Sequence, residues 1–193
     1  MAKVKVLIQG YAKKYKNGWK ASSTCVLIQD KGLNILVDPG TNKKLLLTNL
    51  KKSGLRPKDI DLIFLTHYHP DHWLGASLFP DIKILDGDII YNGDLETGFN
   101  KKIPHTDIEV IATPGHAHEH AVLMAKTAEG KVAIAGDLFW WKDEEKQSTD
   151  YKSLLNKKDP YTKDRVALIK SRKNILKSAD YIIPGHGQVV EVK

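Results

Sequence analysis

The order of apolar and polar residues predicts short strands connected by turns over the first part of the chain. Apolar and polar residues alternate over residues 4–8, which is typical of a half-buried strand. Two apolar runs, residues 24–28 and 33–37, are separated by the turn-forming residues 30–32 and predict a hairpin. The polar, lysine-rich residues 13–18 are predicted to form a loop.

Two longer segments have the spacing of amphipathic helices. Residues 43–52 place Leu45, Leu46 and Leu50 on one broad apolar face, with Leu47 at its margin. Residues 163–178 are predicted to form the second helix. Its expected face has Val166, Ile169, Lys173 and Leu176 near helical spacing, widened by Leu168 and Ile175. Further short apolar runs predict buried strands at residues 62–65, 82–85, 89–91, 108–112, 121–125, 132–135 and 181–183. No repeat or linker divides the chain, so we expect a single domain over residues 1–193.

Polar clusters follow four of these strands directly. The clusters begin at His67, His116, Asp137 and His186, each a few residues after an apolar run. Because strand ends of one sheet system can meet at a single edge of the core, we expect these clusters to form one site.

The clustered side chains are those that bind divalent metals. The candidate ligands are His67, His69, Asp71, His72, His116, Asp137 and His186. Imidazole nitrogen and carboxylate oxygen suit zinc, iron or manganese, and the lone Cys25 disfavours a thiolate-based structural zinc site. Seven ligands exceed the needs of one tetrahedral ion. Two divalent ions, zinc in the first instance, would use all seven by sharing a carboxylate.

Each cluster alone also has an ordinary structural explanation. His67 and His69 could be surface residues, and Asp71 could cap a helix that begins near Trp73. Asp137 could likewise serve a cap or a turn. The occurrence of all four clusters at strand ends favours the metal site over these alternatives.

The motifs in this order resemble the metallo-β-lactamase superfamily. They are H-x-H-x-D-H at residues 67–72, T-P-G-H at 113–116, G-D at 136–137 and P-G-H-G at 184–187. The resemblance implies an α/β fold, the αββα four-layer sandwich, with a dinuclear site on one edge. Shorter stretches at residues 21–24, 75–80, 136–139 and 171–180 resemble the branch of metallo-β-lactamase domain-containing protein 1.

The resemblance also assigns the ligands to two metals. It implies that His67, His69 and His116 hold the first ion, that Asp71, His72 and His186 hold the second, and that Asp137 bridges them. The expected reaction is attack by a metal-bridging hydroxide on the carbonyl of a thioester, ester or lactone. Asp71 and Asp137 are the expected catalytic residues, with Asp71 orienting the nucleophile.

Four further residues are candidates for supporting or substrate-binding roles. Asp38 is expected to hydrogen-bond a ligating imidazole. His120 matches the second histidine of a T-P-G-H-x-x-G-H variant of the family, although Glu119 replaces the glycine. Tyr68 flanks the ligands and is a candidate to line the pocket. His118 is interpreted as a structural histidine, with proton donation to a leaving group as the alternative.

Charge leaves more than one function open. Thirty Lys and Arg against 23 Asp and Glu give a net charge of +7, which permits anionic partners. The lysines are dispersed, so a small anionic substrate is favoured over nucleic acid. A metal-dependent ribonuclease or other phosphodiesterase remains an alternative, as does a mononuclear iron enzyme similar to the persulfide dioxygenases.

The remaining features concern the surroundings of the protein. The single cysteine excludes an intramolecular disulfide. Without a visible secretory signal or an apolar stretch of membrane-spanning length, we expect a cytoplasmic protein with no membrane partner. The segment 140–158 is interpreted as a solvated connection, with a wall over the site as the alternative. The oligomeric state is left open.

Overall fold

The computed structural model describes residues 1–192, and their strands form two β-sheets and a separate hairpin. The strands are β1 (Lys3–Ile8), β2 (Tyr11–Tyr15), β3 (Gly18–Ser22), β4 (Cys25–Asp30), β5 (Leu33–Val37), β6 (Leu62–Phe64), β7 (Lys83–Leu85), β8 (Ile89–Asn92), β9 (Leu95–Gly98), β10 (Glu109–Ala112), β11 (Ala121–Lys126), β12 (Lys131–Trp140), β13 (Tyr181–His186) and β14 (Val190–Glu191). The α-helices are α1 (Lys43–Lys52), α2 (Pro70–Trp73), α3 (Tyr151–Asn156) and α4 (Arg165–Ser178), and 3₁₀ turns lie at Pro57–Asp59 and Leu74–Leu78. Within this described range, none of the helices combines the length and apolar character needed to span a membrane.

The order of the strands brings several strand ends to one edge. The first sheet has the order β1-β4-β5-β6-β7-β8-β9, and the second has the order β10-β11-β12-β13-β14. Strands β5, β6 and β7 are parallel neighbours, and so are β12 and β13. Because the carboxyl ends of parallel strands lie on the same side of a sheet, the residues after β5 and β6 share one edge of the first sheet, and the carboxyl ends of β12 and β13 share one edge of the second.

The apolar residues form three clusters that define four layers. Val26, Phe64 and Ile134 belong to the cluster between the two sheets. Helix α1 covers the outer face of the first sheet through Leu46 and other buried side chains. Helices α3 and α4 cover the outer face of the second sheet, with Ile175 in that cluster. The order helix, sheet, sheet, helix confirms the αββα sandwich.

The structure corrects the predicted loop at residues 13–18. Residues 13–15 belong to β2 and residue 18 begins β3, with a two-residue turn at residues 16–17. The two strands pair in antiparallel register from Tyr11–Ser22 to Tyr15–Gly18. Residues 13–20 are exposed along both strands, so no alternation of buried and exposed positions marks the hairpin in the sequence. Its stability comes from the ladder of backbone hydrogen bonds.

The predicted faces of the two long helices are confirmed in part. In α1, Leu46 and Leu50 are buried, whereas Leu45 is 36% exposed. In α4, the predicted Leu168, Ile175 and Leu176 are buried, but Val166 is 80% exposed. Ser171 and Arg172 also belong to the buried face of α4, and as polar residues they could not be found from apolar spacing.

Candidate metal centre

The first four candidate ligands follow strand β6 in a tight turn. His69 is the N-cap of the short helix α2 and has extended backbone angles, with Pro70 in the first helical position. Proline suits that position because its fixed φ is helical and the missing N–H is not needed there. Asp71 and His72 therefore lie in the helix, and the ring of His72 comes to lie 4.2 Å from the ring of His67.

The other three candidate ligands come from the second sheet. His116 lies in the loop between β10 and β11, Asp137 lies within β12, and His186 ends β13. The β12–β13 pairing shifts register on both sides of Gly136. A Cβ on Gly136 would lie 2.5 Å from the Thr66 hydroxyl, and one on Gly185 would lie 2.0 Å from Asp137 Oδ1. Glycine at both positions lets the two sheets close around the Asp137 carboxylate.

The seven side chains assemble into two adjoining groups. Donor atoms of His67, His69, His116 and Asp137 lie within 4.8 Å of one another, as do those of Asp71, His72 and His186. In the first group, His116 Nε2 is 3.0 Å from His69 Nδ1. In the second, His186 Nε2 is 3.1 Å from Asp71 Oδ2. Residues separated by more than a hundred positions in the chain therefore converge on one edge.

The carboxylate of Asp137 lies between the two groups. Its Oδ1 is 3.3 Å from His72 Nε2 and 3.7 Å from His186 Nε2. Its Oδ2 is 3.4 Å from His116 Nε2 and 3.9 Å from His67 Nε2. Each oxygen thus faces one group of ligands.

The buried polar atoms of the site fit divalent cations. Among residues 1–192, His67 Nε2, His72 Nε2 and Asp137 Oδ1 are buried and have no hydrogen-bond partner. Leaving such atoms unpaired is costly, and a cation between them removes that cost. Burial opposes ionisation of Asp137, but the imidazoles of His72 and His186 hold the pKa of this carboxyl well below its usual value. The site therefore offers a carboxylate and imidazole nitrogens, a donor set that suits zinc, iron or manganese.

Asp38 makes the contact that was expected of it. Its Oδ2 is 2.7 Å from His72 Nδ1. The backbone N–H of Thr66 donates to Oδ1 at 2.9 Å, and the Thr66 hydroxyl donates to Oδ2 at 2.7 Å. This network fixes the ring of His72 with its Nε2 toward Asp137.

Asp159 makes a matching contact that the sequence analysis did not identify. Its Oδ2 is 2.7 Å from His116 Nδ1. Burial alone would raise the pKa of Asp159, but the hydrogen bond with His116 and those from the backbone of Tyr161 and the indole of Trp140 lower it. Asp159 follows a lysine-rich stretch rather than a strand, and its pairing with His116 spans 43 residues. The only local feature of the sequence that could have indicated Asp159 is its position directly before Pro160.

The remaining candidates lie in different surroundings. His120 is buried, and its Nδ1 is 2.8 Å from the Thr113 hydroxyl. Burial and the neighbouring imidazoles lower the pKa of His120 to about 3, so the ring is neutral. His118 is exposed. The hydroxyl of Tyr68 contacts Asp86, so this side chain is held by that carboxylate.

A cavity of about 450 Å³ opens onto the donor groups. It is lined by Ala12, Trp19, Ala21, Thr41, His69, Pro70, Asp71, Asp137, Trp140, Lys142, Tyr161 and His186. Trp140 and Lys142 belong to the segment 140–158, which was interpreted as a solvated connection. At its beginning this segment is a wall of the cavity, and it also contains helix α3. Trp19 belongs to strand β3 of the hairpin, part of which the sequence analysis predicted to be a loop.

Comparison with known proteins identifies the family. The model of the metallo-beta-lactamase superfamily matches residues 18–91. Metallo-beta-lactamase domain-containing protein 1 of Xenopus laevis is 35% identical over 195 residues, covering 95% of this chain and 79% of the relative. The chain belongs to the metallo-beta-lactamase superfamily. This also confirms the resemblance to the domain-containing protein 1 branch.

A second relative and two solved structures extend this assignment. The human metallo-beta-lactamase domain-containing protein 1 is 35% identical over 79% of this chain, which spans 58% of that relative. A crystal structure of a candidate metallo-beta-lactamase from Thermotoga maritima has a TM-score of 0.69 at 20% identity, covering 98% of this chain and 99% of that chain. The dizinc lactonase AidC has a TM-score of 0.65 at 18% identity, covering 87% and 74%. At these identities the two structures establish the fold. As a superfamily member with this His/Asp cluster, the protein is a metal-dependent hydrolase.

Proposed function

We propose that this metallo-beta-lactamase superfamily member hydrolyses a small ester, thioester or lactone with the help of two divalent ions, zinc in the first instance. The observation that carries the proposal is the position of Asp137, with one oxygen toward each group of donors. A carboxylate shared in this way is suited to bridging two ions. In this proposal His67, His69 and His116 hold one ion, and Asp71, His72 and His186 hold the other.

When bound, divalent ions supply Lewis acidity that activates water near neutral pH and polarises a carbonyl oxygen. The contribution of the chain is to hold the metal ligands in place and to orient the attacking water. Asp38 fixes His72, and Asp137 spans the two groups. Asp71 lines the cavity with its side chain 25% exposed. We assign Asp71 to orient the attacking water through a hydrogen bond that its carboxylate accepts.

The shape of the cavity supports a small acyl substrate. Trp19, Trp140 and Tyr161 supply aromatic walls, and Lys142 supplies a positive charge. The Lys142 ammonium lies 5.3 Å from the centre of the Trp19 ring. A cavity of about 450 Å³ lies within the range of sites for small molecules. An apolar acyl group against the rings and an anionic group near Lys142 would use these features together. The lactonase AidC, whose structure holds a homoserine product, shares the fold.

The test is an activity screen on protein of known metal content. Thioesters, lactones, phosphodiesters and RNA are offered to the wild type, to Asp137→Ala and to the surface control Asp94→Ala. We expect turnover of a carbonyl substrate, about 100-fold slower or more in Asp137→Ala together with loss of bound metal. Asp94 is exposed, so its variant should behave as the wild type.

Three results would contradict the proposal. Undiminished metal binding and turnover in Asp137→Ala would exclude the bridging role. Cleavage of RNA or phosphodiesters alone would favour the nuclease. One iron per chain with persulfide oxidation would favour the dioxygenase-like enzyme.

A further inference from the structure

We propose that Asp159 is a positioning residue that joins metal ligand His116 to the aromatic wall of the substrate cavity. One carboxylate would then determine both the affinity for metal and the order of the wall. The inference rests on the proposed metal-dependent function, and it adds a physical link between the two halves of the site.

One oxygen of Asp159 contacts the far nitrogen of His116. Its Nδ1 is 2.7 Å from Asp159 Oδ2, and both side chains are completely buried. A carboxylate at Nδ1 favours the tautomer with its proton there and leaves the Nε2 lone pair free for a ligand. His116 Nε2 is the atom that faces His69 and Asp137. Since both side chains are shielded from solvent, water does not replace the contact when Asp159 is altered.

The other oxygen of the Asp159 carboxylate contacts the wall of the cavity. Asp159 Oδ1 accepts hydrogen bonds from Trp140 Nε1 at 3.2 Å and from the backbone N–H of Tyr161 at 3.0 Å. Both of these residues line the substrate cavity. Their rings lie 5.7 Å apart, and the Tyr161 ring lies 6.0 Å from the His69 ring. Two of the three aromatic walls therefore depend on Asp159.

Backbone contacts join the surrounding loop to the same histidine. The N–H groups of Lys163 and Asp164 donate to the carbonyl of Gly115, the residue before His116, at 2.8 and 3.0 Å. At the other end of the loop, the buried Arg172 donates to the carbonyl of Lys157. The loop of residues 157–164 is thus fastened to the chain that carries His116. A change in the position of His116 therefore displaces the loop of residues 157–164, and a change in the loop displaces His116.

The consequence is reciprocal. If ordered wall residues favour the metal-binding position of His116, metal binding must favour the ordered wall by the same free energy. In the wild type, adding zinc should slow trypsin cleavage between Lys157 and Arg165. This measurement requires neither a variant nor a known substrate.

The test compares three substitutions by zinc competition against a chelator, by the visible spectrum of the cobalt-loaded protein, and by trypsin cleavage of the loop. Asp159→Asn leaves one acceptor oxygen and an amide nitrogen, so the side chain can no longer accept both from His116 and from the N–H groups of Trp140 and Tyr161. We expect about 10- to 100-fold weaker zinc binding, an altered cobalt spectrum and faster cleavage. Trp140→Phe removes only the indole donor. We expect faster cleavage and a loss of zinc affinity of about threefold or less, smaller than in Asp159→Asn because the contact between Asp159 and His116 is kept.

Asp164→Asn is the matched control, because it removes the same charge from the same loop and asparagine keeps the cap that Asp164 provides to α4. We expect it to match the wild type in all three measurements. The inference is overturned if Asp159→Asn binds zinc like the wild type, if Asp164→Asn shows the same losses, or if zinc leaves cleavage of the wild-type loop unchanged. Failure of the proposed function would differ, because it would appear as absent turnover of carbonyl substrates in the wild type or as undiminished metal binding in Asp137→Ala, without changing the comparison between Asp159→Asn and Asp164→Asn.

Discussion

At the level of single residues, each group of metal donors contains one imidazole whose far nitrogen is held by a carboxylate. His72 is held by Asp38 and His116 by Asp159, both at 2.7 Å. Such partners orient the ring and raise the basicity of the coordinating nitrogen. Asp38 follows strand β5 and Asp159 lies in a loop, so the same chemical requirement is met by two unrelated local structures.

A glycine beside the bridging carboxylate provides a prediction at this scale. The Cβ of Gly185→Ala would lie 2.0 Å from Asp137 Oδ1 and 2.9 Å from the carbonyl carbon of Gly136. Since Asp137 is a short, buried side chain and the Gly136 carbon belongs to the backbone, we expect displacement of Asp137, loss of bound zinc and destabilisation by about 1–3 kcal/mol. Zinc content and chemical denaturation measure the two effects.

The matched substitution is Gly18→Ala, because a Cβ at Gly18 meets no atom within 4 Å. It should leave zinc content and stability close to those of the wild type. A Gly185→Ala protein that retains two zinc ions would show that Asp137 tolerates displacement, contrary to the proposed bridging role.

At the level of elements, the sequence predicted two kinds of helix or strand. One kind has a buried apolar face and an exposed polar face, and the other consists of apolar residues alone. The run before His67 became β6, and the motif residues follow it directly because buried strands end where polar ligands begin. The β2–β3 hairpin could not be predicted in this way, since its exposed residues give no alternation. Asp159 could not be predicted either, because its pairing with His116 depends on a loop conformation.

Helix α4 allows the corrected face to be tested. Ile175 is fully buried against the second sheet, whereas Val166 is 80% exposed. We expect Ile175→Ala to lower the free energy of unfolding by about 2–5 kcal/mol through lost burial and a residual cavity. Val166→Ala should change it by about 0.5 kcal/mol or less. Urea denaturation of both variants decides the point, and equal losses would show that Val166 also belongs to the buried face, as the apolar spacing predicted.

At the level of the whole molecule, the candidate metal centre lies at the edge between the two sheets. The turn after the first sheet's β6 supplies His67, His69, Asp71 and His72, and the second sheet supplies His116, Asp137 and His186. Apolar side chains hold the sheets together in the interior. At the candidate metal edge, buried imidazole and carboxylate atoms face one another, and several of them among residues 1–192 have no hydrogen-bond partner. A cation between them would remove the cost of leaving these atoms unpaired. Metal binding is therefore expected to contribute to stability as well as to catalysis.

Removal of metal should measure that contribution. A ligand that binds the folded state alone, at about 100 times its Kd, stabilises it by about 2.7 kcal/mol. For a chain of 193 residues, this corresponds to a rise in Tm of roughly 5–10 °C. We expect a chelator to lower the Tm of the zinc-loaded wild type by about this amount. Asp137→Ala should show little change, because its zinc sites are already lost. If the chelator left the wild-type Tm unchanged, the apolar core alone would hold the two sheets together, and the metal edge would contribute nothing to stability.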